Sequence, residues 1–136
     1  MNKFIISLGL LTILTIPFTG GSSVFAQNNM DPKDRGCDED AETITSTSGG
    51  RYWYGAFQAI DIRIELRKSE KCTAKWVKAN VPKNTQLYLK NQSDNKLVSY
   101  MTKVNGWHYS NMWNYDETLE ACVMLPNNRE VCTSPI

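Results

Sequence analysis

The sequence predicts an all-β fold, a small sandwich or barrel of about eight short antiparallel strands stapled by two disulfides. Three observations carry that expectation: a strict period-two segment at residues 60–67, short strand-like runs separated by turn signals, and four cysteines confined to the chain beyond residue 26. No sustained helical period occurs in that part of the chain.

The first 26 residues read as a signal peptide. Lys3 precedes an apolar run from Phe4 to Phe18 that is short for a bilayer span. Small residues Gly20 to Ser23 follow, and Val24-Phe25-Ala26 fits the small-x-small rule for signal peptidase, so cleavage is expected before Gln27. The product is expected to be secreted and extracellular, with no stable membrane insertion after cleavage. Residues 27–42 then read as an acidic arm and first turn, and residues 43–136 as a single β domain.

The clearest strand is Ile60-Asp61-Ile62-Arg63-Ile64-Glu65-Leu66-Arg67, in which apolar and charged residues alternate. A half-buried strand needs this pattern, since successive side chains point to opposite faces. Upstream, Gly49-Gly50 separates two strand-like runs, Thr43 to Ser48 and Arg51 to Phe57. Downstream, 72–78, 85–90 and 97–104 alternate in the same way, with a turn at 91–95. Asn105-Gly106 is a hairpin signal, because a type I′ turn wants positive φ twice, and 107–113 is the expected returning strand. Asp116 to Ala121 suits one helical turn.

Four cysteines in an exported chain read as two bridges. Two strands flanking Pro126-Asn127-Asn128 set Cys122 opposite Cys132, which leaves Cys37 to pair with Cys72. A zinc site is the rival reading, but the spacings are long and no Cys-x-x-Cys occurs. No cofactor and no metal is expected.

Charge restricts the partners. Without Lys3 the chain keeps fourteen basic and fourteen acidic side chains, so no global field draws in nucleic acid or an anionic membrane. The acidic cluster Asp31, Asp34, Asp38, Glu39, Asp40 and Glu42 invites a calcium reading, yet it lacks the glycine and final glutamate of an EF-hand loop. A solvated arm is the simpler account.

Several short motifs carry a resemblance. Gly36-Cys37 with Asp40-Ala41, Glu65-Leu66-Arg67-x-Ser69-x-x-Cys72-x-x-x-Trp76, Tyr109-Ser110-x-Met112, Ala121-Cys122 and Cys132-Thr133 resemble the YjfA-like family of small secreted bacterial proteins. The resemblance implies export, mostly from Gram-positive bacteria. It brings no catalytic residue, substrate or cofactor, and Lys68 stands where relatives often carry an aromatic residue.

The search for chemistry returns little. His108 is the lone histidine, and Lys103 is expected opposite it across the Asn105-Gly106 hairpin, which would disfavour an imidazolium. Ser110 shares its strand face without a visible oxyanion arrangement. Asp61 and Glu65 lie about 13–14 Å apart along one strand, too far for glycoside hydrolysis. A small nuclease using Glu65, Arg67 and His108 is the sharpest enzyme reading, and an effector or toxin acting on another cell is a further one.

Aromatic residues are the better clue to function. Tyr52, Trp53 and Tyr54 follow the double glycine, and Trp107, Tyr109, Trp113 and Tyr115 lie on or after the second turn. On a regular strand Trp107, Tyr109 and Trp113 share a face, with His108 and Met112 opposite. Some of these rings must fill the core, and the exposed ones are candidate anchors for an extracellular glycan or a protein partner. The sequence thus favours a secreted, non-enzymatic binding or interaction protein.

Overall fold

The computed structural model describes residues 28–136; the apolar run and the expected cleavage site lie outside them. Nine strands form two antiparallel sheets, and no α-helix occurs among the described residues. In chain order they are β1 (Glu42–Trp53), β2 (Ala59–Ser69), β3 (Ala74–Val81), β4 (Gln86–Asn91), β5 (Lys96–Met101), β6 (Gly106–Tyr109), β7 (Trp113–Asn114), β8 (Leu119–Met124) and β9 (Glu130–Cys132). One sheet has the order β1-β2-β3-β6, with β7 also pairing with β3; the other has the order β5-β4-β8-β9.

The period-two segment does what its pattern requires. Ile62, Ile64 and Leu66 of β2 are buried, while Asp61 and Arg63 are exposed. The buried set meets Val77, Ala79 and Val81 of β3 and, from the second sheet, Leu87, Leu89, Leu119, Ala121, Val123 and Leu125. These side chains are the filling of a two-layer sandwich.

Almost all of β3 is buried because its second face is covered as well. Residues 28–41 lie over that outer face, including a 3₁₀ turn at Cys37–Asp40. Cys37, Cys72, Ala74, Trp76 and Met112 form a second small core there, with Met30, Ala41 and Tyr109 packed against it. Asp40 fastens the cover: its carboxylate accepts from the Ser69 hydroxyl at 2.5 Å and from the Lys71 amide at 2.9 Å. Those hydrogen bonds, Ser69 first, hold the Asp40 carboxyl below its ordinary pKa. A solvated arm is therefore not what the structure shows, since Pro32 and Cys37 are buried.

Both disulfides are present, Cys37 with Cys72 and Cys122 with Cys132. The β8–β9 register places Cys122 directly opposite Cys132. Asn128 takes a φ of 65° at the last position of that turn, a left-handed conformation asparagine tolerates, and its amide reaches the Leu125 carbonyl at 2.9 Å. Asp94 plays the same part between β4 and β5, with a φ of 62°.

Several local expectations are corrected. Gly49-Gly50 is not a turn between two strands but a bulge within the single strand β1. That strand ends at Trp53, so Phe57 belongs to the connection and not to a strand. The Asn105-Gly106 pair does not close a hairpin, because β5 and β6 belong to different sheets and the chain crosses between them. Gly106 has a φ of 128° while Asn105 is absent from the residues with positive φ, so no type I′ turn forms. Residues 116–121 make a turn and the start of β8 instead of a helical turn.

Candidate binding site

The two edge strands β5 and β6 stand on the same open side of the sandwich, one from each sheet. Between them is a recess of about 300 Å³ lined by Val98, Ser99, Tyr100, His108, Asn111 and Asp31. Tyr100 and His108 meet across it with ring centroids 5.8 Å apart. Trp107, which is 52 % exposed, also lines it. A second recess of about 280 Å³ lies on the outer face of the same edge, bounded by Pro32, Asp38, Arg67, Trp76, Lys78 and Trp107. Trp107, His108 and Tyr109 are shared by both, and the Lys78 ammonium sits 5.3 Å from the Trp107 ring centre, a cation–π contact.

Backbone geometry shapes the recess. Val98 holds a φ of 52°, a left-handed value that a β-branched residue rarely adopts. It sits where the β4–β5 register slips between Leu87 and Leu89. The bulge lets Tyr100 regain register opposite Leu87, on the inner face, where it reaches His108.

Polar groups line the rim. Tyr109 is half-buried, and burial first, then the neighbouring Asp31 carboxylate, pushes its phenol pKa up. Asn111 donates from its side-chain amide to the Asn29 carbonyl at 3.1 Å.

The enzyme constellation is assembled only in part: Arg67 and His108 both line the second recess, and Glu65 does not. His108 pairs with Ala79, on the inner face of the sheet, whereas Glu65 and Arg67 lie on the outer face. The His108 Nε2–H donates to the Val104 carbonyl at 2.8 Å, and Lys103 does not face it, since β6 pairs with β3. Glu65 accepts from the Thr43 hydroxyl at 2.8 Å. Buried Ser110 accepts from the Val77 amide and donates to the Asn111 carbonyl, so no nucleophile is free there. The cluster of Glu120, Cys122 and Cys132 has both its sulfurs in a disulfide and so offers no thiolate.

The seven candidate aromatics do not share one site. Only Trp107 and Tyr109 line the edge recesses. Tyr52 and Tyr54 line a separate hollow with Pro82, Lys83, Asn105 and Pro126, and Tyr52 is partly packed against the main core. Trp53 is exposed. Trp113 leaves the face expected for it: the strand breaks at residues 110–112, and β7 turns Trp113 against the main core while Met112 joins the second one. Its indole N–H donates to the Glu117 carboxylate. Tyr115 lies between Lys68 and Lys75, 5.4 and 5.7 Å from their ammonium nitrogens, and its hydroxyl bonds Lys68 at 3.3 Å. No alternation pattern singles out Tyr100, because its role depends on the bulge and on the approach of two sheet edges.

A comparison of the chain with family models, curated proteins and solved structures finds no match.

Proposed function

We propose that this is a secreted, non-enzymatic binding protein that takes a sugar ring of an extracellular glycan in the recess beside β6. The observation that carries the reading is Trp107, a half-exposed indole flanked by Tyr100, the Tyr109 phenol, Asp31 and Asn111. An aromatic face supplies apolar contact for the C–H side of a pyranose, and nearby polar groups supply hydrogen bonds to its hydroxyls. The recess volume of about 300 Å³ is at the lower end for small-molecule sites, roughly 300–1,000 Å³, and suits one ring of a longer chain.

Two disulfides suit an oxidising compartment, and among the described residues no helix is long and apolar enough to cross a membrane. The disulfides support export, as does the sequence before Gln27. Calorimetric titration with soluble cell-wall polysaccharide and peptidoglycan fragments tests the reading. Trp107→Ala is expected to weaken binding by about 2 kcal/mol or more with an unchanged melting temperature. No binding to any glycan, or equal binding by the folded variant, overturns it.

A further inference from the structure

The exposed large apolar side chains are not scattered. Apart from Tyr100 and Trp107 of the recess and Ile136, they are Trp53, Tyr54, Phe57, Met101 and Val104. All five belong to the connections at one end of the sandwich or to the strand residues that enter them. Phe57 is 95 % exposed at the tip of the β1–β2 connection and Val104 is 62 % exposed in the crossover from β5 to β6. The β3–β4 and β8–β9 connections share this end, as the hollow lined by Tyr52, Tyr54, Pro82, Lys83, Asn105 and Pro126 shows.

Charge is divided along the same axis. The four connections at this end, residues 54–58, 82–85, 102–105 and 125–129, carry Lys83, Lys103 and Arg129 and no carboxylate. Arg51 and Asp61 nearby neutralise one another at 2.8 Å. The connections at the opposite end, residues 70–73, 92–95 and 115–118, carry Glu70, Asp94, Asp116 and Glu117 against Lys71 alone. A balanced total therefore conceals a molecule with an aromatic, cationic end and an acidic one.

We propose that the chain docks by this end onto an anionic lipid surface, independently of the glycan recess. Trp and Tyr rings favour the headgroup level of a bilayer, and Phe57 beyond them reaches toward the acyl boundary. Lys83, Lys103 and Arg129 gather anionic headgroups, while the acidic connections at the other end of the strands are repelled and turn away from the surface. A second copy of the chain fits less well, since a two-fold contact through this end sets the three cations against themselves.

The test uses the chain from Gln27 onward. Residues 28–136 hold every strand and both disulfides of the described fold, and the apolar run 4–18 is then absent from the vesicle assay. Vesicles of phosphatidylcholine, and of equal parts phosphatidylcholine and phosphatidylglycerol, are sedimented with the protein at low ionic strength. Binding is expected to the anionic vesicles only, and to disappear in about 1 M salt, where screening acts within ~3 Å. The double variant Trp53→Ala/Phe57→Ala should partition about tenfold less or weaker still while melting as the parent does. Lys83→Glu/Lys103→Glu should abolish the preference for anionic lipid. Absence of sedimentation at low salt, equal binding to neutral vesicles, or unaltered binding by the folded aromatic variant overturns the proposal. Self-association that Phe57→Ala removes, without vesicle binding, also overturns it, in favour of a second copy. None of these substitutions touches Trp107, so failure here and failure of the glycan reading are separable.

Discussion

Removing the two disulfides one at a time should have unequal consequences. Cys122 and Cys132 are separated by 10 residues and Cys37 and Cys72 by 35. Loop-closure entropy alone then assigns about 2.7 kcal/mol to the short ring and about 3.8 kcal/mol to the long one at 25 °C. Packing widens the difference. The short bridge ties β8 to β9, whose register is also held by Val123 with Val131 and Met124 with Glu130. The long bridge joins residues 28–41 to the β2–β3 connection and lies within the second core, with Cys37 fully buried. Without it the cover is held by Asp40 and by backbone bonds such as Asn29 to Met112 at 2.7 Å and Met112 to Met30 at 2.8 Å.

Cys122→Ala/Cys132→Ala is therefore expected to cost about 2–3 kcal/mol and leave the fold intact. Cys37→Ala/Cys72→Ala should exceed about 4 kcal/mol, the sum of the ring entropy and the lost packing of two buried sulfurs. Urea unfolding followed by far-ultraviolet circular dichroism measures both. The second variant should also show a red-shifted tryptophan emission as Trp76 is uncovered, and early proteolytic cleavage within residues 28–41. Equal costs for the two variants, or an unshifted emission from the long-ring variant, would refute the view that the cover depends on its disulfide.

Gly49→Ala should destabilise the domain by about 1–3 kcal/mol, because a Cβ there would meet the buried Ile62 side chain at 2.5 Å. Gly50→Ala has open space and costs only the strain of its φ of 79°, about 1–2 kcal/mol, so melts of the pair should rank them in that order. Asp40, whose pKa is lower folded than unfolded, contributes stability that is complete above its unfolded value of about 3.9 and is lost as pH falls through the folded value. Asp40→Asn should therefore melt lower than the parent at neutral pH, with the gap closing toward pH 2 in a scan of melting temperatures. Intact mass of the protein recovered from the medium of a producing culture is expected to correspond to a chain starting at Gln27, and a retained Met1 would contradict export.

What the sequence could disclose was set by range. The alternation of residues 60–67 needs only neighbours along one strand, and it assigned the buried and exposed faces of β2 correctly. The β8–β9 turn is equally local, and the facing of Cys122 and Cys132 follows from it. Asn105-Gly106 carries a local signal just as strong, but a strand chooses its partner across the whole fold, and β6 pairs with β3 rather than β5. The face of Trp113 was hidden for a related reason: alternation holds only while a strand is unbroken, and residues 110–112 break it. The edge recess depends on the approach of two sheets and on a bulge at Val98, neither of which leaves a periodic trace.

The short motifs built around the cysteines raise a separate point, since in the structure most of their residues have a packing role. Cys37, Cys72, Trp76 and Met112 are the second core, Tyr109 packs on it, and Asp40 with Ser69 closes its cover. The Ser69 hydroxyl also accepts from the Cys72 amide at 3.1 Å, so one serine links the arm, the disulfide and the end of β2. Leu66 and Ala121 belong to the main core, and Ser110 bonds the backbone of β3. Such residues are constrained by folding whatever the protein binds, so they are silent on ligand. Trp53, Phe57 and Val104 stand in the opposite position. They are exposed and contribute nothing to either core, and leaving them in water is unfavourable. Function is therefore to be sought where folding supplies no reason for the residue, at the aromatic, cationic end and along the edge that presents Trp107.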